Sequence, residues 1–316
     1  MVERAKKFDL RGFSDYSQRM DTARVAQVRR FNRVVTQRVG ALDDHFLARD
    51  RPLAEARVLW EIGPESCDVR ELRSRLDLDS GYLSRLLRSL EAAGLISVER
   101  GEPDRRVRTA RLTSAGLAER LVLDERSDAL AQSFLEPLNE SQRRRLVTAM
   151  GDVERLLTAA MVEIKTVDPL HPHAQYCIGQ YFAELDRRFD TGFDPSISIS
   201  ADADELRPPA GLVLVATLRS EAIGCGALKF HTDQPTELKR MWVADSARGL
   251  GIGRRLLAEL EAEAENRGSQ VVRLETNGSL TEAIALYRSS GYVEVEPFND
   301  EPYAHHWFEK RLSGKG

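Results

Sequence analysis

The sequence predicts two domains: a mainly α-helical half that contains one β-hairpin, and an α/β half that follows it. The length of 316 residues is typical of two domains, each large enough to bury its own core. Up to about residue 163, apolar side chains recur at spacings of three and four, as in amphipathic helices. Beyond the proline-containing stretch 167–173, strand-like and helical patterns alternate. We therefore expect domains 1–162 and 163–316.

The composition argues against several classes of protein. Hydrophobic residues make up 42% and charged residues 30% of the chain, as in soluble globular proteins rather than disordered ones. No apolar run approaches the roughly 20 residues that cross a bilayer, and the first residues lack the apolar core of a secretory signal, so we expect a cytoplasmic protein. The cysteines are far apart and the histidine pairs lack a third nearby ligand, so we expect no disulfide framework and no metal site. These residues are Cys67, Cys177, Cys225, His171, His173, His305 and His306.

The N-terminal half predicts a series of helices around one hairpin. A long helical region is expected at about 15–50, followed by a helix at 53–62 that ends at Gly63-Pro64. Two short amphipathic helices, 69–76 and 79–93, come next. Residues 95–99 and 106–112 have strand character and are joined by a charged turn, which predicts a β-hairpin. Helices resume at Thr113, a favourable N-cap, and continue, with an interruption at Pro137, to about residue 163.

The helix at 79–93 has one apolar face and one polar face. Leu83, Leu86, Leu87 and Leu90 follow the i, i+3, i+4, i+7 pattern of a stripe that packs inward. The opposite face carries hydroxyl and guanidinium groups, which suit phosphate oxygens and base edges in a DNA major groove. An ordinary solvated surface is the alternative, because the ten arginines between residues 68 and 111 share that segment with eight acidic residues. The candidate DNA contacts on this helix are Ser80, Tyr82, Ser84, Arg85 and Arg88.

The order helix, turn, helix, hairpin resembles the MarR family of winged helix-turn-helix regulators over about residues 15–160. The resemblance rests on LRSRLDLDSGYLSRLLRSLEAAGLISVERGEPDRRVRTARLTSAG, which contains a recognition-helix pattern, a Gly-Leu-Ile exit, an Asp-Arg-Arg wing and a Leu-Thr-x-x-Gly. It implies that helix 80–90 enters the major groove of double-stranded DNA. It also implies that Asp104 and Arg106 brace the wing and that wing arginines, including Arg105, reach a minor groove. The family dimerises through its terminal helices, here 15–50 and 126–163, so a homodimer on a pseudo-palindromic operator is expected.

The C-terminal half predicts an α/β fold. A helix at about 178–189 precedes a hairpin of strands 212–218 and 222–230, and a further strand is expected at 238–243. A glycine-rich turn at 248–253 then leads into a helix that ends near residue 266. Strand 271–275, helix 281–289, and strands 292–296 and 306–312 complete this half.

The glycine-rich turn is the strongest local feature of the C-terminal half. Its sequence, Arg-Gly-Leu-Gly-Ile-Gly at 248–253, follows a strand and begins a helix. Glycines let the backbone approach a ligand closely, and the N–H groups at a helix N-terminus can bind a diphosphate. An ordinary tight turn is the alternative. The spacing excludes a dinucleotide fingerprint, which needs glycine where Arg254 or Leu256 stands, and no Gly-Lys-Ser/Thr of a P-loop is present.

Residues 162–312 resemble the GNAT acyltransferase family. The turn fits the pattern Arg/Gln-x-x-Gly-x-Gly/Ala, and Leu-Glu-Thr at 274–276 followed by EAIALYRSSGYVEVEPF resembles the second cofactor motif of that family. The resemblance implies acetyl-CoA as cosubstrate, with the pantetheine arm paired to the backbone at 241–243 and the diphosphate held at 249–254. The implied cofactor contacts are Met241, Trp242, Val243, Arg248, Gly249, Leu250, Gly251, Ile252, Gly253 and Arg254.

Two residues are candidates for proton transfer. Tyr287 lies in the sequence Leu-Tyr-x-x-x-Gly-Tyr, and a phenol of pKa ~10 can protonate a CoA thiolate whose conjugate acid lies near ~8–9. Simple packing in the core is the alternative. Glu237, at the start of the central strand, is the candidate base that takes a proton from the acceptor ammonium group. An ion pair with Lys239 or Arg240, and proton loss directly to solvent, are the alternatives.

The chain departs from the GNAT pattern at one position near Tyr287. The family often has Asn seven residues before the tyrosine, where this chain has Leu280. A cofactor contact from that position is therefore not expected. Asn277 offers either a substitute contact or a simple turn.

These patterns lead to one main hypothesis and one alternative. The main hypothesis is a bifunctional protein: a transcriptional regulator and an acetyl-CoA-dependent N-acetyltransferase. Its acceptor is an unidentified amine, either a small molecule or a protein lysine, that attacks the thioester directly. In the alternative, the GNAT-like half is a non-catalytic sensor of acetyl-CoA or another metabolite that modulates DNA binding.

Overall fold

A computed structural model of the chain describes residues 22–41, 46–100, 108–199 and 201–312. The chain divides into two compact units, Met1–Arg143 and Arg144–Gly316. The division falls inside a helix that spans Glu140–Ala160, whereas the sequence places the domain boundary at 162–163. One continuous helix therefore contributes to both units, and the boundary at 162–163 stays a prediction.

The first unit is a helical domain with a three-stranded sheet. Its sheet has the order β1-β3-β2 with antiparallel neighbours, and the strand β1 of two residues was not predicted. The elements are α1 (Thr22–Arg38), α2 (Leu53–Ile62), β1 (Cys67–Asp68), α3 (Val69–Leu76), α4 (Ser80–Ala92), β2 (Ile96–Arg100), β3 (Arg108–Leu112), α5 (Ser114–Leu135) and the start of α6 (Glu140–Ala160).

The first helix ends earlier than the sequence predicted. We expected helical structure to about residue 50, but α1 ends at Arg38 and Gly40 takes a φ of 66°. A short 3-10 turn follows at Phe46–Ala48. A left-handed glycine is a common helix terminator because it has no Cβ to clash with the preceding carbonyl. The parts of the predicted helix at 15–21 and 42–45 lie outside the described residues.

The winged-helix core packs as the leucine spacing predicted. Leu83, Leu86, Leu87 and Leu90 of α4 are all buried in one apolar cluster. The helix is capped by Asp79, whose carboxylate accepts a hydrogen bond from the backbone N–H of Tyr82 at 2.8 Å. Asp is a favoured N-cap because its side chain satisfies one of the unpaired N–H groups of the first turn. Capping and the apolar stripe together fix which face of α4 is left exposed.

A buried carboxylate ties α5 to the loop before α2. Glu119 is 7% exposed, and its Oε1 accepts hydrogen bonds from Arg49 Nε at 2.9 Å and Arg51 Nε at 3.2 Å. A second bond joins Arg49 Nη2 to Glu119 Oε2. The hydrogen bond from Arg49 holds the pKa of Glu119 below its ordinary value. This ion pair therefore stabilises the first unit only while Glu119 is ionised.

The second unit is a seven-stranded mixed sheet with helices on both faces. The strand order is β4-β5-β6-β7-β8-β10-β9, and neighbours are antiparallel except β7 and β8. The elements are β4 (Glu163–Val167), α7 (Pro172–Arg188), β5 (Gly211–Leu218), β6 (Glu221–Lys229), β7 (Thr236–Val243), α8 (Ile252–Asn266), β8 (Val271–Thr276), α9 (Thr281–Ser289), β9 (Val293–Val295) and β10 (His306–Arg311).

Alternation along the strands separates two cores on the two faces of the sheet. Leu212 and Leu214 of β5 join the larger cluster, which also contains Leu256 of α8. Val213 and Val215 belong to a second cluster, with side chains of α7. Side chains of a strand point alternately to opposite faces, so continuous apolar runs such as Gly211–Leu218 are expected in a sheet covered on both sides.

Strand β4 was not predicted. We expected a helix to about residue 163 and a linker from 167, but α6 ends at Ala160 and residues 163–167 form a strand paired to β5 along 213–217. The strand lies at the sheet edge, and its residues are half-buried or exposed. A short edge strand has no apolar run of its own, so the pairing partner determines it and the local sequence does not.

Candidate active site and DNA-binding surface

The central feature of the second unit is the place where β7 and β8 separate. These two parallel strands pair only at Thr236–Val272 and Glu237–Arg273. The rest of β7, up to Val243, continues without pairing to β8. Ligands of open α/β sheets bind beyond the carboxyl ends of neighbouring parallel strands. The gap therefore exposes a strand edge that can pair with an extended ligand.

The glycine-rich turn lies after β7 and begins α8. Gly249 and Gly251 have φ values of 81° and 76°, and a Cβ built on either would meet no atom within 4 Å. Gly251 is the N-cap of α8 and no side chain caps that helix. The first N–H groups of a helix have no intrahelical acceptors, so a glycine N-cap, which has no capping side chain, leaves them open to an anion.

A cavity of about 510 Å³, called here the large cavity, extends from the turn to the end of β7. Nine of the ten predicted cofactor contacts line it. The tenth, Leu250, packs instead against the core of the unit. The nine are Met241, Trp242, Val243, Arg248, Gly249, Gly251, Ile252, Gly253 and Arg254.

The arginines around the turn differ in their partners. Arg248 Nη2 lies 2.7 Å from Glu184 Oε2, and its Nη1 lies 2.7 Å from Asp245 Oδ1. Arg254 lines the large cavity and donates to Ser289 Oγ at 3.2 Å. Arg255 points elsewhere, because its Nη1 donates to the carbonyl of Val162 at 2.7 Å. Of these arginines, Arg254 therefore combines a position in the wall of the large cavity with the absence of a carboxylate partner among the described residues.

Tyr287 lies in the wall between the large cavity and a second one. It is 5% exposed, and its ring centroid lies 5.8 Å from that of Tyr292 and 6.2 Å from that of Phe308. Burial raises the pKa of Tyr287 above its ordinary value. The phenol is therefore fully protonated near neutral pH and can serve as a proton donor.

The second cavity, called here the small cavity, has a volume of about 100 Å³. Aromatic rings of Phe182, Phe189, Phe193 and Tyr303 line one side of it. The rings of Phe193 and Tyr303 are 5.0 Å apart between centroids, and those of Phe182 and Phe193 are 5.5 Å apart and stacked. Sequence reasoning did not find this cavity, because its rings come from α7 and two distant loops.

The small cavity also has charged walls. Lys239, Arg240, Glu275 and Glu301 line it, whereas Glu237 lines neither cavity. Glu237 Oε2 lies 3.2 Å from Lys239 Nζ, which also bonds to Glu275 Oε1.

Glu237 is held in place by two cations. Its Oε1 accepts from Arg273 Nη2 at 2.7 Å. Burial opposes ionisation of Glu237, yet the charge of Lys239 and the hydrogen bond from Arg273 hold its pKa below the ordinary value. The residue is therefore an ionised carboxylate that reaches the small cavity only through Lys239.

The residues near the family's missing Asn, Leu280 and Asn277, both line the small cavity. Leu280 lines both cavities. Asn277 is buried, donates from Nδ2 to the carbonyl of Tyr303 at 2.7 Å and accepts from the N–H of Ser279 at 2.9 Å. These bonds give Asn277 a role in fixing the loop that carries Tyr303.

The predicted DNA-reading helix presents its polar face to solvent. Ser80, Arg85 and Arg88 are exposed, and Tyr82 and Ser84 are half-buried. The guanidinium of Arg85 lies 5.5 Å from the ring centroid of Tyr82, and Arg88 Nε donates to the carbonyl of Ser84 at 3.2 Å. The other predicted contacts, Asp104, Arg105 and Arg106, lie outside the described residues.

The described ranges offer neither a cluster of metal ligands nor a membrane-spanning helix. No group of three or more His, Cys, Asp or Glu side chains there is arranged to hold a metal ion. Within the same ranges, no helix is both long and apolar enough to span a membrane.

Comparison with known proteins assigns both halves. Residues 179–292 match the acetyltransferase (GNAT) family, and residues 50–107 match the MarR family. The IAA acetyltransferase of Azospirillum brasilense is 37% identical over 130 residues, which are 41% of this chain and 84% of that protein. The chain belongs to the GNAT acetyltransferase family. The GNAT domain follows a MarR-like region, so the two-part fold expected from the sequence is confirmed.

The similarity over the MarR-like region spans a smaller share of both chains. The HTH-type transcriptional regulator TtmR of Methylorubrum extorquens is 48% identical over 59 residues, which are 19% of this chain and 29% of that protein. Among solved structures, a putative acyl-CoA N-acyltransferase from Klebsiella pneumoniae is 28% identical, with a TM-score of 0.39 over 49% of this chain and 99% of that one.

Proposed function

We propose that the GNAT domain transfers the acetyl group of acetyl-CoA to an amine, and that the MarR-like region binds double-stranded DNA as a homodimer. The observation that carries the catalytic proposal is the position of Tyr287, a buried phenol in the wall shared by the large and small cavities. A cofactor in one cavity and an acceptor in the other would meet at this residue.

The large cavity suits acetyl-CoA as the cosubstrate. Open N–H groups of the turn 249–253 and the side chain of Arg254 would hold the diphosphate. The unpaired edge of β7 at Met241–Val243 would pair with the amides of the pantetheine arm, which places the thioester toward Tyr287. The volume of about 510 Å³ is in the range of known cofactor sites.

The chain's own residues account for the protons. The acceptor nitrogen attacks the thioester carbonyl, the C–S bond breaks, and Tyr287 gives its proton to the leaving thiolate. The acceptor must first lose its ammonium proton. We propose that Glu237, the base expected from the sequence, acts on that step through Lys239 as a positioning group, because its carboxylate is held by Lys239 and Arg273.

The proposed DNA binding rests on the exposed polar face of α4. Arg85 and Arg88 are free of carboxylate partners among the described residues and are therefore open to phosphates or base edges. The proposed homodimer rests on apolar side chains left exposed on helices: Val28 and Val34 on α1, and Leu156 on α6, are 58%, 59% and 70% exposed. Such surfaces in a folded protein usually mark an interface. Two recognition helices would then read a pseudo-palindromic operator.

The decisive experiment measures CoA release from acetyl-CoA with a panel of amines. We expect turnover with wild-type protein and a loss of about 100-fold in kcat for Tyr287→Phe, with acetyl-CoA affinity retained. Tyr292→Phe is the matched control, because its ring packs beside Tyr287 but it lines neither cavity. Equal loss in both variants would contradict the role of Tyr287. Tight acetyl-CoA binding without turnover on any amine would instead indicate the sensor.

A further inference from the structure

Arg240 is a cation in the small cavity that forms no ion pair with a carboxylate of the described residues, although the charge of Asp202 acts on it from farther away. Among the described residues its guanidinium makes one hydrogen bond, to the carbonyl of Ala201 at 2.9 Å, and lies 4.6 Å from the ring centroid of Phe182. No acidic side chain of the described residues lies within 4.0 Å of it. Burial lowers the pKa of Arg240 below its ordinary value. A guanidinium has five N–H donors, so most of them are open to a ligand.

Glu275 supplies an open acceptor in the same cavity. Its side chain is 10% exposed, and its Oε1 bonds to Lys239. Its Oε2 is buried and has no hydrogen-bond partner among the described residues. A buried carboxylate oxygen without a donor is costly and uncommon in folded proteins. A ligand that donates a hydrogen bond at this position would remove that cost.

The other charged groups of the cavity are already satisfied. Glu301 accepts from Ser198 Oγ at 3.0 Å, from the N–H of Ile199 at 2.6 Å and from the N–H of Tyr303 at 3.3 Å. Lys239 bonds to two carboxylates. As far as the described residues go, the cavity is thus left with one cation that has no carboxylate contact and one carboxylate oxygen that has no donor, beside a wall of aromatic rings.

We propose that the acceptor is a small zwitterionic amine, an α-amino acid with an apolar side chain, whose carboxylate binds Arg240 and whose ammonium group binds Glu275 Oε2. A simple amine would leave the guanidinium of Arg240 without an ion-pair partner among the described residues, and a simple acid would leave Glu275 Oε2 without a hydrogen-bond donor. The apolar side chain would lie against the rings of Phe182, Phe193 and Tyr303. This inference rests on the proposed function, because it takes the small cavity as the acceptor site.

The same placement gives a balanced reaction. The ammonium group passes one proton to Glu275 Oε2, from which it leaves to solvent, and the freed amine forms the N–C bond with the acetyl carbonyl. The C–S bond breaks, and Tyr287 donates its proton to the thiolate. The second proton of the nitrogen restores the phenol. Overall, the ammonium and the thioester become an amide, a thiol and one proton.

Calorimetry of the full chain with CoA present tests the proposal without requiring turnover. The probes are L-phenylalanine, L-phenylalaninamide, which lacks the carboxylate, and 3-phenylpropanoate, which lacks the ammonium group. The matching set for L-leucine is L-leucinamide and 4-methylpentanoate. In wild-type protein we expect at least one amino acid to bind about 10- to 100-fold more tightly than either of its two analogues.

Two variants separate the two contacts. Arg240→Gln, which keeps a donor for the Ala201 carbonyl, should weaken the amino acid and the acid about tenfold or more and leave the amide within about threefold. Glu275→Gln should weaken the amino acid and the amide and spare the acid. Arg187→Gln is the control, because Arg187 is exposed on α7 and lines neither cavity. Arg187→Gln should leave the affinity for every probe unchanged.

The outcomes distinguish this inference from the proposed function. The inference would be overturned if wild-type protein bound neither amino acid, or if it bound amino acid, amide and acid equally tightly. This test uses wild-type protein alone. Equal weakening of all three probes by Arg240→Gln would overturn it as well. If an amino acid binds as expected but no CoA is released with it, the acetyl transfer fails while the ligand class stands. Turnover of simple amines without a preference for the zwitterion would support acetyl transfer and overturn the amino acid as the ligand class.

Discussion

A glycine at the start of α5 supports a sharp prediction about the winged helix. Thr113 caps this helix: its hydroxyl donates to the carbonyl of Gly94 at 2.7 Å and accepts from the N–H of Gly116 at 3.0 Å. The N–H of Thr113 also donates to the carbonyl of Leu95 at 3.0 Å. These bonds hold the first turn of α5 close to the two residues, Gly94 and Leu95, that follow the end of α4. A Cβ on Gly116 would lie 1.9 Å from the Leu95 carbonyl oxygen and 2.9 Å from its carbon.

The cost of Gly116→Ala follows from this geometry. Real Cβ atoms essentially never lie within 3.0 Å of a non-bonded heavy atom. The neighbouring atoms here belong to the backbone, which cannot rotate away as a flexible side chain does. The helix must move by roughly 1 Å, an overpacking cost of about 1–3 kcal/mol. Loss of the Thr113–Leu95 hydrogen bond adds about 1 kcal/mol. We expect the first unit to lose about 2–4 kcal/mol of stability, a large part of what a small domain has.

Hydrogen exchange is the suitable assay, because a chain with two compact units need not unfold in one step. Peptides from α4 and β2 should exchange about 30-fold faster or more in Gly116→Ala, and peptides from the GNAT domain should not change. Gly179→Ala is the control: this helical glycine of α7 has no atom within 4 Å of a built Cβ, so alanine should slow exchange of α7 slightly. Unchanged exchange of α4 in Gly116→Ala would refute the reasoning.

Three more predictions concern the cofactor turn, acid stability and DNA. Gly251→Ala strains a residue with φ 76° and should lower acetyl-CoA affinity about 5- to 10-fold in calorimetry. Gly268→Ala is the control: this glycine has a φ of 82° but lines neither cavity, so the variant should lose stability alone. The hydrogen bond from Arg49 lowers the pKa of Glu119, so its stabilisation is present above pH ~4.3 and lost as the pH falls. Urea titrations of wild type and Glu119→Gln should therefore differ at pH 7 and converge toward pH 3. Arg85→Gln should weaken binding to a duplex selected from a random pool about tenfold in anisotropy titrations. An unchanged affinity would contradict the proposal that α4 contacts the DNA through Arg85.

The sequence correctly predicted those helices whose ends are determined by residues close by in the sequence. Helices α3 and α9 begin and end where the sequence placed them, at 69–76 and 281–289. The carboxylate of Asp68 caps α3 by accepting from the N–H of Arg70 at 2.6 Å, a contact between residues two positions apart. Strands β1 and β4 were missed because pairing with β3 and β5 defines them, and pairing across the chain leaves no local signal.

The same distinction holds for the candidate site. The glycine turn could be found from sequence, because positive φ values at 249 and 251 favour glycine wherever they occur. The small cavity could not, because Phe182 and Tyr303 are brought together only by the fold. Glu275 stands in the Leu-Glu-Thr stretch that the motif comparison included, yet nothing in that motif indicates which of its two oxygens is left without a donor.

One irregularity in β7 connects the two cavities. Between Lys239 and Trp242 the strand has two residues where β6 has one, Gly226, so Arg240 and Met241 form a bulge. Arg240 takes a φ of 56° there, which costs a non-glycine residue about 1–2 kcal/mol. A Cβ on Gly226 would lie 2.6 Å from both the Met241 sulfur and Leu260 Cδ1, so glycine at this position leaves room for these two side chains beside the bulge. The extra residue brings Arg240 to the small cavity while Met241 lines both. The strained bulge thus places the proposed acceptor anchor, Arg240, and the proposed cofactor edge at Met241 next to each other on one strand.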